Sequence, residues 1–531
     1  MKTLQTSVIA SAALATGRAF VVQRGAAASA RTKGTVEQEC ALFEGALAKS
    51  KEQIEVLAED SDIFAAHLEM IDDPMLSEGV MSHIDEGQSA EEAVAAAAAE
   101  LVAMFEAIDD EYLAARADDI KDIFARIAAN LTGGVTNPFE GVAEGDIVVA
   151  TELFPSDMAL LDLAKIGGFV TALGSATSHL CIIARNHSLA AVVGLGSDVE
   201  QIKSGEVVIV DGYCGKVVVN PDQATVDSYA ERKEQEQRLR SEQLALAKSE
   251  VNYRGSRVVV TANAGSVEEV ERAIEAGADG IGLFRSEFIY MHSTAEPTEE
   301  EQYQIYSAAA KGCKGAPLTI RTLDIGGDKD VPYLGLPKEE NPFLGWRAIR
   351  ISLDREEMFC RQLRAILRAS ADGDVRVMFP MITSVEELLA AKAILERCKE
   401  QLTAEGVSYN ADMKVGVMIE TPAAVLIADS LAAQCDFFSI GTNDLVQYVM
   451  AADRANVKVA NLYNPYSRAV LRAIEMVISA ADRAGIECGM CGEFASDSNA
   501  TELLLGMHLK EYSVNIGAVG KIKYELNKLT N

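Results

Sequence analysis

The stretch Phe437-Phe-Ser-Ile-Gly-Thr-Asn-Asp444 shows the pattern that decides the fold of more than half of this chain. An apolar run of strand length is followed at once by a polar cluster, and an amphipathic helix pattern comes next. From about Asn252 onward there are eight such apolar runs, at residues 258–261, 280–284, 318–320, 375–379, 415–419, 437–440, 488–490 and 513–516. Eight strand–helix units in about 280 residues match the number and size of a (β/α)8 barrel, which we predict over residues 252–531.

Polar residues stand directly after these predicted strands or in the loops that follow, where such a barrel carries its chemistry. Buried charges are costly unless something pairs with them, and salt bridges that support the barrel mouth would explain any one pair. Substrate binding better explains several arginines, two separated carboxylates and a cysteine at one rim. The candidate residues are Arg285, Arg321, Arg347, Glu420, Asn443, Asp444, Arg454 and Cys491.

These residue types suit phosphoryl transfer. Arginine binds phosphate and carboxylate groups in a bidentate manner. Glu420 and Asp444, together with substrate oxygens and water, suit the octahedral coordination of Mg²⁺. A metal and arginines together neutralise charge during the transfer, and Cys491 can act as a proton donor.

The first 222 residues predict a smaller α/β unit. Short strands separated by turn residues are predicted at 147–150, 168–171, 190–194, 207–210 and 217–219. A strand pair at 7–11 and 17–23 can join them. A short signal peptide is the alternative for this end of the chain, but its apolar stretch is weak and broken by Ser and Thr, so we favour the strands.

A helical block interrupts this unit, because Ala, Glu, Leu and Ile recur there at three- and four-residue spacing. We predict an α/β domain formed by residues 1–32 and 136–222, with an all-α domain of residues 33–135 inserted in it. Residues 223–251 are charged and free of Gly and Pro, and we predict a helical linker there with an exposed helix at 231–250.

His179 follows Gly174 and the pair Thr177-Ser178, and an apolar helix pattern begins directly after it. A helix N-terminus favours a phosphate carried on the imidazole, because backbone N–H groups and the helix dipole point at it. A turn histidine with Ser and Thr neighbours is more often a capping or hydrogen-bonded surface residue. The residues alone therefore leave both interpretations open.

Longer motifs resemble enzyme I of the phosphoenolpyruvate:sugar phosphotransferase system, and the likeness covers nearly the whole chain. Thr177-Ser-His179, with Arg185 downstream, resembles the phosphohistidine segment of that family. The other segments that carry the resemblance are Asp109-Asp-Glu-Tyr-Leu, Gly282-Leu-Phe-Arg-Ser-Glu-Phe, Arg321-Thr-Leu-Asp-Ile-Gly-Gly-Asp-Lys, Glu340-Asn-Pro-Phe-Leu-Gly-Trp-Arg, Phe437-Phe-Ser-Ile-Gly-Thr-Asn-Asp-Leu and Gly489-Met-Cys-Gly-Glu.

The resemblance implies a swivelling α/β domain that bears the active histidine, an inserted helical domain that docks the carrier protein HPr, and a barrel that binds phosphoenolpyruvate and forms a homodimer. It implies that His179 is phosphorylated and that Cys491 protonates enolpyruvate. Glu420 and Asp444 would bind Mg²⁺. Phosphoenolpyruvate would be held by Arg285, Arg321, Arg347 and Arg454, with Asn443 on its phosphate.

Two departures from the family pattern lie near His179. Ala176 stands where the family usually has an arginine, and Met158 stands where it has a threonine that can hydrogen-bond the active histidine. A phosphoenolpyruvate-sensing protein without turnover is therefore one alternative, although a sensor has no need of the proton donor Cys491. A related dikinase is another, but it requires an ATP-grasp domain of a few hundred residues, for which 531 residues leave no room.

Composition excludes some partners. The net charge of −32 repels nucleic acid and anionic membrane surfaces, and no apolar run reaches the ~18 residues of a membrane span. Nine scattered cysteines, an odd number, are not a disulfide framework and fit a reducing cytosol. Cys488 and Cys491 form a CxxC pair, but no second pair at zinc-binding spacing accompanies it.

Overall fold

The computed structural model describes residues 1–22, 33–58, 62–106, 111–133, 137–174, 179–187, 189–327, 329, 331–454, 456 and 458–530. The chain forms two compact units, Met1–Glu236 and Gln237–Asn531. The boundary between them falls inside the predicted linker. None of the helices in the described ranges is long and apolar enough to cross a membrane.

The first unit contains a mixed sheet of seven strands in the order β1-β7-β6-β2-β3-β4-β5. Strands β2 to β5 pair in parallel, and the other pairs are antiparallel. Alternate residues of the central strands enter separate apolar clusters, Val149 and Val170 in one, Val148 and Phe169 in the other. The strands are β1 (Lys2–Gln5), β2 (Leu14–Val21), β3 (Ile147–Ala150), β4 (Gly168–Thr171), β5 (Ala190–Val192), β6 (Val207–Asp211) and β7 (Lys216–Val219).

Five helices stand in the chain between the parallel neighbours β2 and β3, and they have an apolar core of their own that includes Phe43, Ile84 and Phe124. Two further helices connect β3 to β4 and β4 to β5. The helices are α1 (Val36–Ala58), α2 (Asp62–Ile71), α3 (Pro74–Asp85), α4 (Ala90–Glu106), α5 (Glu111–Leu131), α6 (Pro155–Leu160) and α7 (His179–Asn186). An α/β sheet with an inserted all-α block is therefore confirmed as the fold of this unit.

The expected strand at residues 7–11 is wrong, because the first strand is β1, which pairs with β7. Residues 7–11 instead form a segment whose polar groups bond elsewhere. The Ser11 hydroxyl accepts a hydrogen bond from the Ala191 N–H at 2.9 Å, and the Ala10 carbonyl accepts one from Arg185 Nε at 2.9 Å. The expected strand at 17–23 is found as β2, and its residue 23 lies outside the described ranges.

The helix expected at 231–250 is α8 (Gln223–Leu246), which begins eight residues earlier and buries no residue. Asp222 starts it, because its Oδ1 accepts a hydrogen bond from the Thr225 N–H at 2.9 Å. Within the first unit, Arg232 of this helix forms an ion pair of 2.7 Å with the buried carboxylate of Asp211.

The second unit is the predicted barrel. Eight parallel strands close on themselves because β9 pairs with both β10 and β16, and the short β8 adds an antiparallel partner to β9. Each predicted run overlaps one of the eight barrel strands. The strands are β8 (Val251–Tyr253), β9 (Ser256–Ala264), β10 (Ile281–Arg285), β11 (Leu318–Arg321), β12 (Val375–Phe379), β13 (Val415–Ile419), β14 (Phe437–Gly441), β15 (Glu487–Cys491) and β16 (Glu511–Val514).

Helices follow the barrel strands, and local capping residues fix the ends of several of them. Ser384 and Glu387 form a capping box at the start of α14, and Gly406 ends that helix in the left-handed conformation. The helices are α9 (Val267–Glu275), α10 (Glu287–Met291), α11 (Glu299–Gly312), α12 (Ile349–Asp354), α13 (Glu356–Ala369), α14 (Val385–Glu405), α15 (Pro422–Leu426), α16 (Ala428–Ala432), α17 (Thr442–Met450), α18 (Arg468–Ala484), α19 (Thr501–Gly506) and α20 (Val519–Thr530).

Candidate active site

A cavity of about 250 Å³ lies at the carboxyl ends of the barrel strands. Arg285, Arg321 and Cys491 are the last residues of β10, β11 and β15, and Glu420 directly follows β13. All eight barrel residues that the sequence singled out line this cavity: Arg285, Arg321, Arg347, Glu420, Asn443, Asp444, Arg454 and Cys491. The parallel strands of a closed barrel explain this convergence, since their carboxyl ends share one rim.

Asp324 is the centre of the ionic network at this rim. Its carboxylate lies 2.9 Å from Arg321 Nη1, 3.0 Å from Arg347 Nη2 and 3.2 Å from Lys329 Nζ. Burial favours the neutral acid, but these three cations outweigh it and hold the pKa of Asp324 well below its ordinary value. Asp324 therefore stays ionised and holds two arginines of the site in place.

Glu287 has a second bridging position. Its Oε1 accepts hydrogen bonds from Arg321 Nη2 at 2.5 Å and Lys329 Nζ at 2.9 Å. Its Oε2 is buried with no hydrogen-bond partner in the described part of the chain, and the same holds for Nε of Arg285, Arg321 and Arg347. Buried polar atoms rarely lack a hydrogen-bond partner, because leaving them unsatisfied costs free energy. These four atoms are therefore available to form hydrogen bonds with a ligand.

Glu420 is a buried carboxyl among other carboxylates. Burial, and then repulsion from Asp444 and Asp324, raise its pKa to about 8 against the opposing effect of Arg321 and Arg347. Its Oε1 accepts a hydrogen bond of 2.6 Å from the N–H of Met381, a residue with φ of +56°. That left-handed conformation is unusual for methionine, and it lies at the residue whose N–H orients Glu420.

Glu420 and Asp444 fit a divalent cation. Both side chains present carboxyl oxygens to the same cavity, and repulsion from Asp444 adds to burial in raising the pKa of Glu420, a repulsion that a cation would relieve. The Arg347 Nη1 group lies 3.1 Å from Asp444 Oδ1, so one oxygen of Asp444 is engaged by arginine. Two carboxylates leave the other positions of an octahedral ion to substrate oxygens and water.

Cys491 is a buried thiol whose Sγ lies 3.6 Å from the carbonyl oxygen of Ile440. Burial raises its pKa to about 11, although Ser439 and Arg321 act in the opposite direction. The thiol therefore keeps its proton at neutral pH. A protonated thiol can donate a proton and is a poor nucleophile.

Asn443 stands beside Cys491 at the rim. Its Oδ1 accepts a hydrogen bond from the Glu493 N–H at 3.1 Å, which fixes the orientation of the amide. The intervening Gly492 has φ of +98°, and a Cβ at this residue would lie 2.4 Å from Thr442 Oγ1 and 2.9 Å from Asn443 Oδ1. Glycine is required here, because any side chain would displace the amide.

His179 is the first residue of α7, as its sequence context predicted, but its side chain lies outside the described residues, as does Ala176. Leu180 and Ala184 anchor this helix in the apolar core. Met158, which stands in place of the family's threonine, is buried in the same cluster. It offers no hydroxyl group to the histidine.

Three further residues of the strand-end motifs line the cavity without having been predicted as site residues: Glu287, Asp324 and Lys329. Gln362 of α13 lies outside these motifs and was not predicted either. Buried Gln362 donates to Ser286 Oγ and to Tyr306 Oη, each at 3.1 Å, and accepts from the Leu323 N–H at 2.9 Å. It therefore joins the loops that directly follow Arg285 and Arg321. A glutamine at helical spacing from Phe359 and Ile366, on the apolar face of α13, was the available signal.

Family models identify the class of protein to which the chain belongs. Residues 239–531 match the family model of the PEP-utilising enzyme, PEP-binding domain. Residues 142–215 match the model of the mobile domain of PEP-utilising enzymes, and residues 6–116 match that of their N-terminal domain.

Three curated relatives define the family more narrowly, and each is named phosphoenolpyruvate-protein phosphotransferase. The Priestia megaterium protein is 42% identical over 536 residues, covering 98% of this chain and 93% of the relative. The Geobacillus stearothermophilus protein is 43% identical, covering 98% and 92%, and the Enterococcus faecalis protein is 40% identical, covering 100% and 95%. The chain belongs to the phosphoenolpyruvate-protein phosphotransferase family, and the resemblance to enzyme I is confirmed.

Proposed function

We propose that this enzyme transfers the phosphoryl group of phosphoenolpyruvate to its own His179 and from there to a histidine of the carrier protein HPr, as the first step of sugar uptake. Family membership supports the reaction. The observation that carries the assignment of residues is the cavity, because eight side chains chosen from sequence alone line it together.

The charges of the cavity suit a substrate that carries both a phosphate and a carboxylate. Five cationic side chains, those of Arg285, Arg321, Lys329, Arg347 and Arg454, line it together with five carboxyl groups. Asp324 and Glu287 use part of the arginine hydrogen-bonding capacity to fix the guanidinium planes. The remaining N–H groups then hold the phosphate and the carboxylate in a fixed geometry, with Asn443 donating to the phosphate.

The transfer breaks the bond between phosphorus and the enol oxygen and forms a bond between phosphorus and a ring nitrogen of His179. The released enolpyruvate takes a proton at its methylene carbon and becomes pyruvate. Cys491 supplies this proton, since its high pKa keeps the thiol protonated until a strongly basic carbon faces it. The thiolate left behind regains a proton from water.

PEP-utilising enzymes generally use a metal cofactor, and we propose Mg²⁺, held by Glu420 and Asp444. When bound it would neutralise charge on the phosphoryl oxygens. Binding requires Glu420 to lose its proton, so the ion and the protonated acid compete for the same carboxyl group.

The remaining assignments follow the domain division predicted from sequence. The helical domain of residues 33–135 docks HPr, the α/β domain of residues 1–32 and 136–222 carries His179, and residues 223–251 form the linker on which this domain swivels. The barrel of residues 252–531 forms a homodimer in the cytoplasm. Sedimentation equilibrium of the full chain tests the dimer, and a monomer at all concentrations would contradict it.

Incubation with radiolabelled phosphoenolpyruvate and Mg²⁺ tests the central assignment. We expect acid-labile label on the wild type and on His187→Ala, a matched variant of an exposed histidine just after α7. His179→Ala should carry none while still binding phosphoenolpyruvate. Label that persists on His179→Ala would overturn the assignment. Binding without label on the wild type would instead favour the sensing protein.

A further inference from the structure

Two cysteines meet on the outside of the barrel, away from the cavity described above. Cys360 lies on α13 and Cys398 on α14, and their sulfur atoms are 3.0 Å apart. A disulfide requires about 2.05 Å between the sulfurs, so an approach of about 1 Å would join them. Neither residue lines the proposed substrate cavity.

The two thiols differ in access. Cys398 is buried, whereas Cys360 is partly exposed and can meet a small oxidant from solvent. Cys360 Sγ also lies 3.5 Å from Gln401 Oε1 on α14. One accessible thiol next to one protected thiol is the arrangement of an attacking and a resolving cysteine.

The charges around the pair favour thiolate on the accessible member. The hydrogen bond with Cys398 is the largest cause that lowers the pKa of Cys360, to about 7, and Arg364 and Arg397 add to it, while burial and Glu299 oppose it. Both arginines are held in place by ion pairs, Arg364 with Glu299 and Glu405, and Arg397 with Glu356. The pKa of Cys398 is raised, so this thiol retains the proton.

We propose that Cys360 and Cys398 are an oxidative modification site, at which hydrogen peroxide forms a reversible disulfide between α13 and α14. The Cys360 thiolate attacks one peroxide oxygen, the O–O bond breaks, and the leaving hydroxide takes a proton and becomes water. Cys398 sulfur then attacks the sulfenic acid sulfur, and its proton leaves with the hydroxyl group as a second water. Two thiols are oxidised by two electrons, and one peroxide is reduced to two waters.

Peptide mass spectrometry of the full chain tests this site. The reduced protein is exposed to dilute hydrogen peroxide, and the remaining thiols are alkylated under denaturing conditions. We expect one cross-linked peptide containing both residues, lighter by two hydrogen atoms, which dithiothreitol separates again. The control is Cys435→Ser, which alters another partly buried thiol and should leave the cross-link unchanged.

The kinetics and a second variant sharpen the test. Cys360 and Cys398 should disappear at least about tenfold faster than Cys435, whose pKa burial raises to about 12. In Cys398→Ser, Cys360 should accumulate as sulfenic acid that dimedone traps. A wild type in which Cys360 proceeds to sulfinic acid without a cross-link would overturn the proposal, as would equal loss of Cys435. These results are independent of phosphotransfer activity.

Discussion

The two ends of the barrel both contain ionic networks, but they are built differently. At the amino ends of the strands, Glu487 pairs with Arg376 at 2.8 Å and with Lys414 at 2.6 Å. At the carboxyl ends, Asp324 contacts all three of Arg321, Lys329 and Arg347. Charged pairs therefore do not by themselves distinguish a site from a structural network.

The two ends differ in their buried polar atoms that lack a hydrogen-bond partner in the part of the chain that the structure describes. Around the carboxyl ends, three arginines and Glu287 have a buried polar atom without a partner among the described residues, and they surround a cavity of about 250 Å³. At the amino ends, Arg376 Nε and the Tyr512 hydroxyl are such atoms in the described structure, and neither residue lines that cavity. Incomplete satisfaction of buried groups around an open volume is thus the better sign of a ligand site.

The largest effect should come from Arg347→Met, which leaves the buried carboxylates of Asp324 and Asp444 without one of their cations. We expect kcat/KM for phosphoenolpyruvate to fall by about 10³ or more, because a charge proposed to bind the transferring group is lost. Steady-state pyruvate release measures it.

Arg376→Met at the other end is the matched change. It should lower stability by about 1–3 kcal/mol and leave kcat/KM within about twofold, because Arg376 only joins strands. Equal losses of activity in the two variants would remove the distinction between the two ends.

Two thiols on one strand allow a second test. Cys488 lies near the amino end of β15 and Cys491 at its carboxyl end, and burial raises the pKa of both, that of Cys491 to about 11. Ser439 and Arg321 limit the increase in the pKa of Cys491. Between pH 9 and 10 we therefore expect iodoacetamide to modify Cys491 roughly tenfold or more faster than Cys488. Peptide mapping over time measures both rates, and faster labelling of Cys488 would contradict the electrostatic difference.

A smaller effect is expected for Gln362→Ala. This change leaves the buried Leu323 N–H without its acceptor and disconnects the loops that follow Arg285 and Arg321. We expect kcat/KM to fall by about tenfold, with the loss of positioning appearing mainly in KM for phosphoenolpyruvate. Gln401→Ala on α14 is the control and should be silent. An unchanged KM in Gln362→Ala would show that the loops hold their geometry without this residue.

The smallest effect, on the free energy of unfolding, should follow Glu487→Gln. Burial raises the pKa of Glu487, but Lys414 and Arg376 outweigh it, so the pKa lies below its ordinary value of 4.5. A depressed carboxyl pKa contributes stability above 4.5 that is lost as pH falls through the lower folded value. The side chain is half exposed, so we expect less than about 1 kcal/mol at pH 7 and a smaller difference at an acidic pH below the folded pKa. Urea unfolding at both pH values measures it, and a loss that persists at low pH would point to packing instead.

The sequence predicted the barrel well for a physical reason. Runs such as 375–379 and 415–419 coincide with β12 and β13, because buried parallel strands are apolar throughout and polar residues bound them sharply. The run at 7–11 has the same composition as a strand, yet it is held by side-chain hydrogen bonds: the Ala10 carbonyl accepts from Arg185 Nε, and the Ser11 hydroxyl accepts from the Ala191 N–H of β5. Such long-range contacts leave no periodic pattern in the sequence.

For the site, the sequence predicted which residues line the cavity but not which of them pair with one another. Topology alone brings the strand-end residues to one rim, which is why eight choices converge on one cavity. Which carboxylate bridges which cations depends on side-chain geometry, so the central role of Asp324 could not be read from Arg321-Thr-Leu-Asp324. Gln362 acts from a helix whose other buried residues are apolar, and there only the tertiary structure reveals its three partners.

The barrel can close only late in synthesis on the ribosome, because its first strand pairs with its last. Strand β9 needs β16 as its neighbour, and the residues that meet between them, such as Thr261 and Glu511, are 250 positions apart. At ~5–20 residues per second, a ribosome takes about 12–50 s to supply the missing strand. During that interval the nascent chain exposes an unpaired edge of β9, and a transcript that ends before residue 511 would leave that edge open to other chains. Pairing of the eighth strand with β9 therefore covers the exposed edge at which this protein is prone to aggregate.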